Sequence, residues 1–354
     1  MNKILLFLLF ITFSLLPDQI SADIKEIPSI GFVLPLSGDW AFLGNGIRDG
    51  AFLAQEDLRS SGKNVELIFE DNLGELSTSA IIGTKFADSR KVHALISIIS
   101  GVGRVLKPLA TRAKIINIGI CSETDIADGE YNFINYLTAE QGVSKFLKQL
   151  GAEKSIGIFS LNESGFQKMI DVLKIQSANS LRVQFEDYFD RGTTDFRAIL
   201  NKRKVALTDA WLILGLSPEI ETLVKQARAL GIRTPVVSIE GFGLARDKSP
   251  FEGAWFIDSA VPKVEMRARF IKKFGYEPTP GVGHSYDSVM MLAEALNKAS
   301  DPKGEISREL AAQNFRQIKD YAGVIGVLSV KRSGVIWSEA SVKVIKNSKP
   351  EIME

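Results

Sequence analysis

The sequence predicts an α/β protein made of two doubly wound lobes, each a parallel sheet with helices on both faces. Three observations carry this. Short apolar runs alternate with amphipathic helical stretches almost to the C-terminus, the pattern left by parallel strands joined through crossover helices. The alternation comes in two successive series, parted near Asn135–Thr138. No flexible linker, low-complexity tract or sequence repeat interrupts them, so ordinary ordered strands must join the lobes.

In the first series the strands are Ile30–Leu36, Val65–Glu70, Ala94–Ser100 and Ile115–Ile120. Between them lie helical patterns such as Ile47–Leu58, where Ile47, Ala51, Ala54 and Leu58 share one face. The second series has strands Ser155–Leu161, Arg182–Tyr188, Ala210–Leu216 and Pro235–Ile239, with helices Glu140–Leu150, Gly165–Ile175 and Pro218–Leu230. Ser217 followed by Pro218 reads as a helix start, Ser as N-cap and Pro in the first helical position. Gly231 reads as its stop. A return segment begins at Gly253–Val261, followed by helices Val264–Phe274 and His284–Ala299. The tail, Val324–Ile345, reads as a few strands with a turn at Ser333-Gly334.

The N-terminus reads differently. Lys3 gives a positive start, Ile4–Leu16 an apolar stretch, and Ile20-Ser21-Ala22 a small-residue cleavage site before Asp23. This is the pattern of a cleaved signal peptide over residues 1–22. Its apolar run of about 13 residues falls short of the ~20 that span a bilayer. No cysteine follows it to take a lipid. The expectation is a protein free in solution outside the cytoplasm, in a periplasm or an equivalent space. Removing the leader leaves roughly 330 residues, a length that suits two domains. Of the 354 residues 43 are basic and 42 acidic, a balance that argues against nucleic acid or an anionic membrane as main partner. The single cysteine, Cys121, excludes an internal disulfide.

In open parallel sheets, ligands sit at the carboxyl ends of strands, where loops enter helix N-termini. That points to Ser37–Gly46, Ser100–Arg104, Cys121–Asp125, Asn162–Gly165, Leu216–Ser217 and Glu240–Gly243. Ser100-Gly101-Val102-Gly103 follows a strand and opens a helix, so its amides and the Ser100 hydroxyl suit an anionic group. It is not a dinucleotide fingerprint, because the third glycine is missing.

Several stretches carry a resemblance: Gly31-Phe32-Val33-Leu34-Pro35-Leu36-Ser37-Gly38 with Gly44, Gly46, Gly50 and Ala51; Asp71-Asn72; Glu240-Gly241-Phe242-Gly243; and Tyr286-Asp287-Ser288-Val289 before Leu292-Ala293-Glu294-Ala295-Leu296. In order and spacing the chain resembles the type I periplasmic solute-binding proteins of the leucine/isoleucine/valine-binding family, from about Ile30 to about Ile345. The resemblance implies two lobes joined by three crossovers and closing on a ligand, with an ABC permease as membrane partner. It places lobe one at 24–136 plus 259–332, lobe two at 137–258 plus 333–347, and a tail at 348–354. It also implies a monomer and no cofactor. A ligand-sensing subunit with the same fold is the alternative to transport.

The resemblance further implies that the Ser100 and Ser122 loops take a ligand carboxylate and that Glu240 takes its ammonium. Glu123 fits this pattern badly: either it points to solvent, or the ligand is not a simple amino acid, since two desolvated carboxylates repel. Ser164 and Ser217 stand where amino-acid binders carry tyrosines. Trp40 and Phe42, with Phe166, either replace that aromatic wall or pack the lobes. Arg104 and His284 are within reach of the cleft or serve as surface and structural residues.

Enzyme readings fare badly. A zinc site needs three or four good ligands, and only His93, His284 and Cys121 offer nitrogen or sulfur. Gly283-His284-Ser285-Tyr286-Asp287 lacks the final glycine of a nucleophile elbow, and no histidine follows it. Cys121 reads as a packed thiol. No phosphate-binding Gly-x4-Gly-Lys loop is present, so the chain is not the importer's ATPase.

Overall fold

Ser29–Leu34, the first apolar run after the leader, is buried at every position and forms β1 inside a five-stranded sheet. This architecture comes from a computed structural model, which describes residues 26–152, 154–177, 180–301 and 303–353. The expected signal peptide lies outside the described residues. After β1 come α1 (Ala41–Ser60), β2 (Glu66–Asp71), α2 (Leu76–Asp88), β3 (Ala94–Ile98), α3 (Ser100–Ala113), β4 (Ile116–Ile120) and β5 (Asn132–Ile134). Their order in the sheet is β2-β1-β3-β4-β5, all parallel.

The second series repeats this winding. It runs α4 (Ala139–Leu150), β6 (Lys154–Leu161), α5 (Ser164–Ser177), β7 (Leu181–Phe189), α6 (Arg197–Arg203), β8 (Ala210–Leu214), α7 (Glu219–Ala229), β9 (Val236–Ile239), α8 (Gly241–Leu244) and β10 (Trp255–Asp258). The strands lie in the order β7-β6-β8-β9-β10, again parallel. Both sheets therefore change winding direction once, between β1 and β3 and between β6 and β8. Those are the points where α/β sheets open a crevice.

The chain then returns to the first sheet with α9 (Val264–Phe274), α10 (Val282–Asn297) and α11 (Arg308–Arg316). Gly50 lets α10 lie tight on α1: a Cβ there would stand 2.5 Å from the Val282 carbonyl oxygen. The Tyr286 hydroxyl donates to Asp57 at 2.6 Å and Ser285 Oγ to the Ile47 carbonyl at 2.7 Å, fixing the pair. A small antiparallel sheet follows, β11 (Tyr321–Gly323), β12 (Gly326–Val330) and β13 (Ile336–Trp337). Finally β14 (Ser341–Lys346) pairs antiparallel with β10, and β15 (Lys349–Ile352) with β14.

Three passes connect the lobes, at residues 135–138, 259–263 and 338–340. They are tied to each other: Gln141 Nε2 donates to the Ser338 carbonyl at 3.2 Å, and Ser341 Oγ to the Ser259 carbonyl at 3.1 Å. Thr138 and Gln141 form a reciprocal capping box that starts α4 as the chain enters the second lobe.

Three expectations need correction. The third pass does not begin at residue 333, because Ile336 and Trp337 still pair with β12 and Val335 bridges to Ile134. The expected tail at 348–354 contains β15, for which the free edge of β14 supplies the partner; Pro350 is tolerated there because it lies on an edge strand. Ser217 is not an N-cap. Pro218 occupies that position and α7 begins at Glu219, while the Ser217 hydroxyl bonds the Glu221 carboxylate and accepts the Arg246 amide at 2.8 Å.

Candidate functional site

Both switch points open on one cavity between the lobes, enclosing about 620 Å3 of empty space, part of it open to solvent. Lobe one contributes Trp40 and Leu43 from the start of α1, Ile98 to Gly101 at the β3–α3 junction, and Ile120 to Ser122 after β4. Lobe two contributes Glu163, Gly165 and Phe166 between β6 and α5, Leu216 after β8, and Glu240 with Leu244 after β9. Tyr136 from the first pass and Pro280, just before α10, complete it.

Two backbone distortions shape the floor. Ile99, between β3 and α3, has φ +77°, and Glu240, between β9 and α8, has φ +66°. Each costs about 1–3 kcal/mol for a residue with a side chain; for β-branched Ile99 the conformation is a true outlier. At both places the strand turns at once into a helix. This puts Ser100 at the mouth of α3 and swings Glu240 into the cavity.

Glu240 dominates the electrostatics. It is 5 % exposed and its Oε1 has no hydrogen-bond partner. Burial, with the nearby charge of Asp258 second, pushes its carboxyl well above the usual carboxylate range. Asp258 is itself engaged: Lys343 Nζ lies 2.7 Å from its Oδ2 and the Ser259 amide 2.8 Å from its Oδ1. Lys343 thus answers Asp258, and among the described residues no cation pairs with Glu240. Burial also raises the Glu163 carboxyl, opposed in part by the charge of Arg191. The Cys121 thiol is pushed up to about 12, first by burial and then by Glu240, and it hydrogen-bonds Ser100. It is a packed, unreactive thiol.

The lobes are closed on each other. A Cβ added to Gly165 of lobe two would lie 2.8 Å from Ser100 Oγ and 3.4 Å from Ser122 Oγ of lobe one. Arg191 of lobe two stacks over the Trp40 ring at 4.0 Å and reaches the Gly74 carbonyl at 3.5 Å. Lys168 meets Asp125 at 3.1 Å across the same gap.

Of the residues singled out in sequence, Trp40, Ser100, Gly101, Ser122 and Glu240 line the cavity together. Glu123, Ser164, Ser217 and Phe42 do not. Glu123 neither faces solvent nor meets the ligand space: it is 1 % exposed and paired with Arg104. Its other oxygen, Oε2, is buried without a partner, and the residue lies outside the cavity lining. Ser164 begins α5, and its neighbours Glu163 and Gly165 face inward instead. Ser217 is fully buried with its hydroxyl engaged as described. Phe42 packs beneath the Arg246 guanidinium at 5.0 Å. His284 is buried below the site, edge-on to Tyr136 at 5.1 Å, and burial lowers it to about 3, so it stays neutral. The aromatic wall is present after all, built from Trp40, Tyr136 and Phe166. Sequence reasoning missed Tyr136, Leu244 and Pro280, which no strand-end pattern marks.

Among the described residues no helix is long and apolar enough to cross a membrane, and no group of three or more potential ligands is placed to hold a metal ion.

Known proteins give the same architecture. A leucine-binding protein, LivK, from Thermotoga maritima superposes with a TM-score of 0.82 at 22 % identity, covering 93 % of this chain and 98 % of that one. LivJ from Streptococcus pneumoniae, solved with isoleucine, gives 0.81 at 24 % identity, covering 92 % and 99 %. A solute-binding protein from R. palustris in complex with benzoate gives 0.80 at 16 % identity, covering 92 % and 95 %. In sequence, an amino acid binding protein of Pseudomonas aeruginosa is 23 % identical over 313 residues, 77 % of this chain and 79 % of that protein. Residues 28–334 match the family described as periplasmic binding protein, which spans both lobes and the cavity between them. The fold is the type I periplasmic binding fold, and the chain belongs to the periplasmic binding protein family, a solute-binding protein and not an enzyme.

Proposed function

We propose that this protein is the extracytoplasmic receptor of an ABC importer and that it binds an amino acid-type solute between its closing lobes. The observation that carries the ligand class is Glu240, a buried carboxyl with an unpartnered oxygen in an otherwise largely apolar cavity. An ammonium placed there gains a charge-assisted hydrogen bond and relieves the group's isolation. The α3 N-terminus with Ser100 and Ser122 suits the solute's carboxylate. Trp40, Tyr136, Phe166 and Leu216 suit its apolar body. The leucine- and isoleucine-binding relatives support the reading, and so does the signal-peptide pattern for a place outside the cytoplasm. ABC permease subunits are the membrane partner in this proposal, with the protein acting as a monomer.

A second reading follows from the same carboxyl. A neutral Glu240 can donate its O–H to an anionic solute that carries no amine, such as the benzoate held by the R. palustris relative.

The test is a thermal-shift screen of amino acids and aromatic acids, followed by calorimetry on hits. Ligand at one hundred times its Kd adds roughly 2.7 kcal/mol of stability. The amino-acid reading expects hits to share an α-ammonium and expects Glu240→Gln to lose at least tenfold in affinity. Hits restricted to acids without an amine contradict it and support the second reading.

A further inference from the structure

Glu240 is not the only carboxyl at the cavity. Glu163, from the β6–α5 loop of the same lobe, also lines it, and no Lys, Arg or His among the described residues does. The Glu163 backbone is fixed, its amide donating to the Leu161 carbonyl at 2.8 Å and its carbonyl accepting from the Gln167 amide at 3.1 Å. The residue is half-buried. The charge of Arg191 offsets part of the burial effect on Glu163, but the guanidinium itself is engaged on the Trp40 ring, on the Gly74 carbonyl and 4.0 Å from Glu75. Among the described residues no cation lies within ion-pair distance of Glu163. A single ammonium on the solute can answer Glu240 or Glu163 but leaves the other carboxyl without a charged partner.

We propose that Glu163 selects solutes with a second donor group, an amine at the end of a short methylene stem, so that the preferred ligand is a basic amino acid rather than a purely aliphatic one. This rests on the reading in which Glu240 holds the α-ammonium. The apolar walls then cover the stem and Glu163 receives the terminal amine, which at neutral pH is charged. A site built around a polar group rejects analogues lacking that group far more strongly than an apolar pocket rejects an added methylene. Glu163 is thus a specificity-determining residue, distinct from those that hold the features common to all amino acids.

The experiment is calorimetry on the mature protein with L-leucine, L-lysine and L-ornithine, using wild type, Glu163→Gln, Glu163→Leu and Glu240→Gln, each checked for an unchanged unliganded melting profile. Wild type should bind lysine or ornithine at least tenfold more tightly than leucine. Glu163→Gln should remove that preference and Glu163→Leu should reverse it, while Glu240→Gln should weaken all three ligands. A wild type that prefers leucine overturns the role of Glu163 and leaves the amino-acid reading intact. So does a preference for basic ligands that survives in Glu163→Leu. If none of the three binds wild type, the proposal for Glu163 fails, and the amino-acid reading is decided separately by the screen of the remaining amino acids.

Discussion

Gly165→Ala separates folding from closure. Gly165 sits in the first turn of α5 in lobe two, and an added methyl carbon would stand 2.8 Å from Ser100 Oγ, 3.4 Å from the Ser100 Cβ and 3.4 Å from Ser122 Oγ, all in lobe one. A carbon at 2.8 Å from an oxygen is inside van der Waals contact, so either the Ser100 hydroxyl rotates away or the lobes part by a few tenths of an ångström. The first response disturbs a group that faces the ligand, and the second loosens the closed state. Overpacking of this size costs about 1–3 kcal/mol. Because the clash exists only when the lobes are closed, that cost appears as weaker binding, about 5- to 150-fold. Within lobe two the substitution is harmless, and replacing glycine in a helix gains up to about 1 kcal/mol. Calorimetry should show the affinity loss, while the unliganded melting temperature stays level or rises. An affinity within twofold of wild type would refute the claim that Gly165 and Ser100 touch in the ligand-bound form.

Two further outcomes follow from the same geometry. Glu240 has its folded pKa raised above the ordinary carboxylate value of about 4.3. The native state therefore holds a proton that the unfolded chain releases, and stability falls as pH rises from the unfolded value through the raised folded one. Urea midpoints of the unliganded protein between about pH 5 and about pH 8 should decline more steeply in wild type than in Glu240→Gln; parallel curves contradict this. Arg191→Ala removes a half-exposed cation–π contact worth about 1 kcal/mol and a distant, exposed approach to Glu75 worth little. Ligand release measured by stopped flow should quicken roughly fivefold, with no change in the unliganded melt; an unchanged rate removes Arg191 from the closure.

The fold was legible because burial on both sheet faces leaves largely apolar runs: β8 is wholly apolar, and β1, β3, β4 and β9 each carry a single polar residue, Ser29, Ser97, Asn117 and Ser238. The rule that ligands sit at strand ends found Ser100, Ser122 and Glu240, since each follows a strand directly. It could not decide which way the Asn162–Gly165 loop turns, so it selected Ser164 where Glu163 and Gly165 face the cavity. It also could not see partners far along the chain. Arg104 pairs with Glu123 across the α3–β4 connection, and Arg246 and Glu221 engage Ser217; neither pairing leaves a periodic trace. Tyr136 and Pro280 reach the site only because the lobe-to-lobe passes and the return segment fold back over it. Residues 349–352 show no strand pattern of their own, because their pairing is supplied by the open edge of β14.

The central claim, that Glu240 receives a ligand ammonium, is tested most directly by counting protons. Calorimetric titrations of a confirmed ligand at mildly acidic pH, in buffers of different ionisation enthalpy, give the number of protons exchanged on binding. Burial, and after it the charge of Asp258, raises the Glu240 carboxyl in the unliganded protein, and an incoming ammonium favours its ionised form. Wild type should release more protons per ligand than Glu240→Gln. Proton uptake, or a release from Glu240→Gln equal to that of wild type, contradicts it, and uptake points instead to an anionic solute accepting a hydrogen bond from the neutral acid.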